Sequence, residues 1–393
     1  MTVLDKLSLE CCGCQACAQS CPKNAISFQE NGEGFLYPVI SDNCVDCGKC
    51  VKVCPIIEKS ELSQPTEGYA AYLKERKSLR ASSSGGIFVA VADYILSQGG
   101  AVFGCAETTP GEPEHIVIRT REELPLLQGS KYTQSNMTGV YQQVKDLLET
   151  GTTVLFSGTP CQVAGLLKIS GRKENLFTAD IICHGVPSRR MYQNYLSWLE
   201  KKTDSTVKSF LFRSKEKHDW SLTYRVELKK SGRVRTRENI ATLSPYYSHF
   251  LKGMTYRESC YVCPYAQSNR PGDLTLGDFW GIEQVLPDFY NPDGMSAVLV
   301  NTPKGKNLWS AISQKVVAEP VDTKRIIQNN GQLKAPTKRS PTRDSIYKLL
   351  ETQGYDAVAK AYQNPKEILI DTVKDWIPNR VRQNIKNLLK RAK

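Results

Sequence analysis

Two rhythms of apolar residues run through the middle of the chain. IFVAVADYIL (Ile87–Leu96) and MTGVYQQVKDLLET (Met137–Thr150) carry helical patterns, while AVFGCA (Ala101–Ala106), HIVIRT (His115–Thr120) and TVLFSG (Thr153–Gly158) read as strands. Helix and strand in alternation predict a mixed α/β domain. Between Val207 and Thr236, FLF, LTYRVELKK and GRVRTR read as antiparallel strands, the last two joined by a turn at Ser231-Gly232. No run approaches the roughly 18 apolar residues of a membrane span, since Asp93 interrupts even the most apolar segment.

Polar breaks divide this pattern. SELSQPTEG (Ser60–Gly68) reads as a linker and APTKRSPTR (Ala335–Arg343) as a second boundary. The expected organisation is a small module over 1–62, a larger body over 66–334 with halves at 66–150 and 151–334, and a helical basic tail over 335–393. The fold class expected is α+β or mixed α/β.

Composition narrows the class. Hydrophobic residues at 40% and charged residues at 23% are those of a folded globular protein. The start MTVLDKLSLE lacks the apolar core of a signal peptide, which predicts a cytoplasmic chain in a reducing compartment. The net charge of +12 is uneven: residues 1–62 carry 5 basic and 8 acidic side chains, residues 335–393 carry 13 and 6.

Fourteen cysteines, nine of them between Cys11 and Cys54, are the strongest signal, because clustered cysteine in a reducing compartment means metal or redox chemistry. Cys11, Cys14, Cys17 and Cys21 follow the spacing CxxCxxCxxxCP, and Cys44, Cys47, Cys50 and Cys54 repeat it. In such paired motifs three thiolates wrap one cubane and the fourth crosses to the other. Two [4Fe-4S] clusters follow, one on Cys11, Cys14, Cys17 and Cys54, the other on Cys44, Cys47, Cys50 and Cys21. Zinc is the competing reading, but eight thiolates in two identical runs exceed what paired zinc knuckles require. Cys12 lies outside the spacing and reads as a small buried side chain. Residues 1–62, with the NAISF strand after the first motif, resemble a bacterial two-cluster ferredoxin, which moves single electrons.

Five cysteines remain. Cys161 and Cys183 each follow an apolar strand, at the carboxyl ends where α/β domains place their sites, and Cys260 and Cys263 form a CxxC. These four could hold a third [4Fe-4S] cluster or be buried thiols. Cys161, two residues after Thr159 and one after Pro160 at a helix start, could instead be an activated nucleophile paired with His184. Cys105 reads as core. No GxGxxG or P-loop occurs, yet Ser82, Ser83, Ser84, Gly85 and Gly86 precede a helix, and Gly129, Ser130, Lys131 and Tyr132 form a second polar turn. Both could contact a phosphate-bearing cofactor, or be ordinary caps and turns.

SSSGGIFVAVADYIL, LQGSKYTQS, VLFSGTPCQVAGL, DIICHGVPS and RESCYVCPYAQSNRPGDLTLGDFWGIE, in this order, resemble the coenzyme F(420) hydrogenase/dehydrogenase β-subunit family over about residues 5–335. The resemblance implies an oxidoreductase that uses FAD to join iron-sulfur clusters to a two-electron, small-molecule partner. It also implies the third cluster on Cys161, Cys183, Cys260 and Cys263, and a flavin site at the two Ser/Gly segments with Thr159. Lys131 is then a candidate for a flavin phosphate or for charge on the reduced ring, and His184 for a proton relay. Asp273, Asp278 and Trp280 read first as turn and packing residues. The alternative is a non-enzymatic electron-transfer or docking subunit of a redox complex.

The expected partners are an electron-transfer protein or redox-complex subunit and a small-molecule redox substrate. From Trp376 to Lys393 there are six Lys/Arg and no acid, with Ile377, Val381, Ile385, Leu388 and Leu389 near one helical face. This stretch could dock on the body, on an acidic protein, or on a membrane surface. Nucleic acid is not expected, because no recognition fold accompanies the charge.

Overall fold

The computed structural model describes residues 2–7, 9–361, 364–377 and 381. Strands β1 (Ile26–Glu30) and β2 (Leu36–Ile40) pair antiparallel in the N-terminal module, with Ile26 opposite Ile40. Two short helices, Ala16–Gln19 and Lys49–Lys52, each start after a left-handed residue, Gln15 (φ 65°) or Gly48 (φ 70°). The two positions are equivalent in the repeated motif, so the chain turns the same way within each cysteine run.

The body is built on β3 (Glu67–Leu73), β4 (Ala101–Ala106), β5 (Glu114–Ile118), β6 (Val154–Gly158) and β7 (Leu176–Ile181), then a separate meander of β8 (Thr206–Phe212), β9 (Thr223–Lys230) and β10 (Arg233–Ile240), then β11 (Leu274–Asp278), β12 (Ser296–Val300) and β13 (Val316–Pro320). The large sheet has the order β13-β3-β12-β11-β7-β6-β4-β5, with β4, β6, β7 and β11 parallel and the flanking strands antiparallel. Its centre is covered on both sides. Val102 and Leu155 join one core with Ile87, Val91 and Ile95 of the helix Ile87–Ser97. Their neighbours Phe103, Val154 and Phe156 join another, with Tyr141, Val144, Val163 and Leu166 from the helices Val140–Glu149 and Pro160–Ser170. Period-two side chains buried on both faces explain why AVFGCA and TVLFSG are nearly all apolar.

In the meander, Arg233 pairs with Lys230 across Ser231 (φ 48°) and Gly232 (φ 81°). Two consecutive left-handed residues are what a tight hairpin turn requires. Behind it an aromatic core collects Tyr192, Tyr195, Phe210, Phe212, Tyr246 and Tyr247. The helices Arg343–Gln353 and Tyr355–Ala361 bury Ile346, Tyr347, Leu350, Tyr355 and Val358 in that core, and Tyr347 meets Phe35 of the N-terminal module at 5.7 Å. Residues just past Ala335 therefore pack into the body. Beyond Ile377 and Val381, the amphipathic stretch expected to run to Lys393 lies outside the described residues. Among the described residues no helix is long and apolar enough to cross a membrane.

Buried arginines lock the module to the body. Arg257 donates to the Cys11 carbonyl (2.5 Å), the Leu36 carbonyl (2.8 Å) and Gln134 Oε1 (3.0 Å), and its guanidinium lies over the Tyr37 ring at 4.1 Å. Arg343 donates to both Glu33 oxygens (2.7 and 2.6 Å) and to the Tyr256 carbonyl (2.8 Å).

Candidate iron-sulfur and cofactor site

The repeated cysteine motifs deliver two groups of sulfurs. Burial raises the Cys17 thiol, and Cys11, Cys54 and Cys50 raise it further; Cys12 lowers the Cys14 thiol, but burial, Cys17 and Cys54 raise it, and the net direction is up. Cys21, Cys44, Cys47 and Cys50 line one small cavity with Pro22 and Gly48. The last cysteine of each run thus lies toward cysteines of the other run, Cys54 near Cys17 and Cys21 with Cys44, Cys47 and Cys50, while Cys50 also acts on Cys17 and Cys54 and so links the two groups.

The remaining four cysteines come from three segments. Because β6 and β7 run parallel with Gly158 opposite Asp180, their carboxyl ends deliver Cys161, on the first turn of its helix, and Cys183 side by side. Cys260 and Cys263 lie on and just after the short turn Glu258–Val262. That turn is held to the end of β7 on both flanks. The Arg257 N–H donates to the Val186 carbonyl (2.9 Å), and Arg270 donates to Asp180 Oδ1 (2.6 Å) and the Ile181 carbonyl (3.1 Å). Tyr265 adds a hydrogen bond to the Pro55 carbonyl (2.7 Å), tying the loop to the N-terminal module.

The sulfurs sense one another. Burial pushes the Cys183 thiol well up, and Cys260, Cys161 and Cys263 push it further. Burial and Cys263 raise Cys260 to about 12; burial and Cys161 raise Cys263 to about 11. Like charges crowded in a dry site cannot ionise together without a cation among them. The Cys161 thiol is likewise held protonated, first by Cys12 and then by burial, which counts against an activated nucleophile. Gly185, next to His184, has φ 135°, and a Cβ there would stand 2.4 Å from the Tyr256 ring. Only glycine fits this loop.

Four donors of one soft type suit an iron-sulfur cluster. No group of three or more His, Cys, Asp or Glu among the described residues is arranged to hold a single metal ion. A cubane spreads its ligand sulfurs over four corners and needs no such compact group.

All four of these cysteines open onto one cavity of ≈540 Å³. Ser82, Ser83, Ser84 and Gly86 line it, as do Gly129, Ser130, Lys131, Tyr132 and Thr159. Ser130 Oγ donates to Ser83 Oγ at 2.8 Å, joining the two polar loops. Gly86 begins the helix Ile87–Ser97 without any side-chain cap, leaving its first N–H groups for an anion. Gly85 corrects the expectation: it packs behind the cavity, its N–H on Ser296 Oγ (2.9 Å), and a Cβ would stand 2.3 Å from the Ala71 carbonyl. Lys131 Nζ donates to the Gln128 carbonyl (2.7 Å), and burial lowers its pKa. Cys105, expected in the core, is half-buried and faces this cavity beside Lys131, with burial raising its thiol to about 11.

His184 lies on the cavity wall against Phe250, its ring centroid 6.5 Å away. Burial lowers its pKa, Asp278 opposes that, and Arg213 adds to it. Asp278 and Trp280, read from sequence as turn and packing residues, line the same wall, whereas Asp273 is buried behind it, accepting from Thr178 Oγ1 at 2.8 Å. Arg213 grips Asp278 with both terminal nitrogens (2.5 and 3.1 Å). Sequence reasoning missed Arg213, Cys12 and His115. Cys12 is no isolated buried thiol: Cys14 and Cys161 are near enough to shift its proton affinity. His115 bridges Ser135 Oγ (2.9 Å) and the Ser157 carbonyl (3.1 Å), and burial lowers it to about 4. A carbonyl only accepts, so Nε2 carries the proton. The chain continues through Gln162 Nε2 to Ser135 (2.9 Å), Thr159 Oγ1 to Gln162 Oε1 (3.0 Å), and the Thr159 hydroxyl to Cys161 Sγ (3.2 Å).

A doubled cysteine motif locked onto an α/β body with a cofactor-sized cavity defines an iron-sulfur redox protein of the oxidoreductase class. Residues 10–56 match the 4Fe-4S dicluster domain, residues 68–142 the N-terminal part of the coenzyme F(420) hydrogenase/dehydrogenase beta subunit, and residues 151–324 its C terminus. The chain belongs to the coenzyme F(420) hydrogenase/dehydrogenase β-subunit family. It is 25% identical over 320 residues to a coenzyme F(420)-dependent sulfite reductase of Methanocaldococcus jannaschii, covering 78% of this chain and 46% of that protein. It is 21% identical over 192 residues to one of the subunits of the F(420)H(2) dehydrogenase of Methanosarcina mazei, covering 44% and 53%. The chain spans about half the length of these curated relatives. A chain of the F420-reducing [NiFe] hydrogenase complex from Methanosarcina barkeri resembles it with a TM-score of 0.44 at 20% identity, over 76% of this chain and 91% of that one.

Proposed function

We propose that this chain is an FAD-dependent iron-sulfur oxidoreductase with three [4Fe-4S] clusters. Two sit on the N-terminal cysteine groups and one on Cys161, Cys183, Cys260 and Cys263. The carrying observation is that these four cysteines, from three distant segments, open onto the cavity that also collects the two Ser/Gly loops. At ≈540 Å³ it lies within the size range of cofactor sites. The helix start at Gly86 and the hydroxyls of Ser83 and Ser130 suit a pyrophosphate. When bound, FAD exchanges electrons singly with clusters and in pairs with an organic substrate.

The chain's own residues supply position and charge. Lys131 offers a cation to the polar end of the cofactor. His184, on the cavity wall near Asp278 and Arg213, is placed to hand a proton to a reacting group. Cys12 joins the first N-terminal sulfur group to the third, so electrons entering at the ferredoxin module reach the cavity along one line of sulfurs. The acidic module suits a protein electron partner and the cavity a small two-electron substrate. The relatives are named for coenzyme F(420), and we extend that class of substrate to this cavity.

Anaerobic purification followed by iron and flavin determination tests the assignment: about 12 Fe and one FAD per chain are expected, with iron lower by about four atoms in Cys260→Ala and unchanged in Cys105→Ala. Stoichiometric zinc in place of iron overturns the cluster reading. Iron with no flavin leaves the electron-transfer subunit.

A further inference from the structure

The helix Pro365–Trp376 is packed inside out. Its inward residues, three and four apart, are Ile368, Asp371 and Asp375, and Asp375 is buried. The Asp375 carboxylate accepts from Lys217 Nζ, His218 Nε2 (3.3 Å), Asn239 Nδ2 (3.1 Å) and the Ile240 N–H (2.8 Å). These contacts fix the rotation of the helix about its axis. At about 3.6 residues per turn, Leu369, Val373 and Trp376 then fall on the far side, with Ile370 beside them. They are 67%, 56%, 82% and 53% exposed. Four large apolar side chains in one outward stripe form a patch of the kind that marks an interaction surface.

Charge selects what covers it. On β10 the side chains of Arg233, Arg235 and Arg237 are exposed, and alternation places them on the strand face of Asn239, which holds the helix through Asp375. Past Asp375 the sequence has no acid and six cations: Arg380, Arg382, Lys386, Lys390, Arg391 and Lys393. A second copy on a two-fold axis would bring this charge against itself. An exposed apolar stripe ending in tryptophan, on a helix seated against an arginine-bearing strand and followed in sequence by cations, instead matches the boundary of an anionic bilayer, where acyl chains take the stripe and phosphate headgroups the cations.

We propose that the outward face of the helix Pro365–Trp376, with the arginine row of β10, docks the protein on an anionic lipid surface. The full-length, cluster-loaded protein is sedimented with vesicles of phosphatidylcholine and phosphatidylglycerol, or of phosphatidylcholine alone. It is expected to bind the first and not the second, with release at high salt. Leu369→Ser/Val373→Ser keeps every charge and is expected to weaken binding roughly tenfold or more, with iron content and circular dichroism unchanged. Trp376→Phe is expected to keep binding while losing a vesicle-induced blue shift in fluorescence. Undiminished binding by the double variant overturns the proposal, because charge alone then suffices. Absence of binding, or a protein that is dimeric by light scattering until the stripe is replaced, overturns it also, the latter in favour of a second copy.

Discussion

The Cys12 thiol lies within electrostatic reach of the Cys161 sulfur, although the two are 149 positions apart in the chain. Cys12 belongs to the ferredoxin module and Cys161 to the body, so the two redox parts meet sulfur to sulfur. Cys12→Ala is expected to leave iron content and the individual cluster spectra intact while slowing electron passage between module and body severalfold in rapid-mixing experiments. Iron lower by about four atoms would make Cys12 a ligand instead.

Thr159 is positioned to tune the proposed third cluster. Its hydroxyl has one proton and two neighbours, Gln162 Oε1 and Cys161 Sγ. The Gln162 oxygen also accepts from the Thr159 N–H at 2.9 Å, so the hydroxyl is free to turn to a metal-bound sulfur. Hydrogen bonds to ligand sulfur raise cluster potentials. Thr159→Val is expected to lower the potential of that cluster by roughly 40 mV, the one-electron equivalent of about 1 kcal/mol, and Thr159→Ser to restore it. Redox titration followed by EPR reads the difference.

His115 gives the fold a specific acid sensitivity. Its folded pKa of about 4 lies below the 6.5 of a free imidazole, because burial disfavours the cation. Between these values the unfolded chain binds more protons, so stability is full above pH 6.5 and is lost as pH falls toward 4. The loss from this one group is roughly 3 kcal/mol. His115→Gln should be less stable than the wild type at pH 7.5, and that difference should shrink or reverse at pH 5 in denaturant titrations. An identical acid limb in both proteins would show that His115 is not buried neutral.

Gly185→Ala tests the loop that presents Cys183. With a Cβ driven to 2.4 Å from the Tyr256 ring, the loop must move. The expected result is loss of about four iron atoms and roughly 2–4 kcal/mol of stability, with the N-terminal clusters retained. Full iron at wild-type stability would mean that the loop tolerates the side chain.

The sequence by itself determined whatever depends on residues close together in the chain. The spacing within Cys11–Cys21 and Cys44–Cys54 dictates chelation, because a loop of eleven residues can wrap a cubane only with thiolates at fixed intervals. The strand pattern before Cys161 and Cys183 placed both at carboxyl ends, and two-sided burial of β4 and β6 was written in their unbroken apolar runs. The tertiary structure decided what depends on strand order and rotation. Insertion of β11 beside β7 is what brings the loop of Cys260 and Cys263 to Cys183, and Asp278 to Arg213, 65 residues away. Cys105 and Gly85 show the limit at single positions: one stands in an apolar strand yet faces the cavity, the other in a polar loop yet packs behind it. The helix Pro365–Trp376 shows it for a whole element, since its pattern specifies two faces and only the partners of Asp375 decide which one meets the body. Local spacing carries chelation and periodicity; the convergence of remote segments is set by how sheets and helices pack, which no short stretch of sequence encodes.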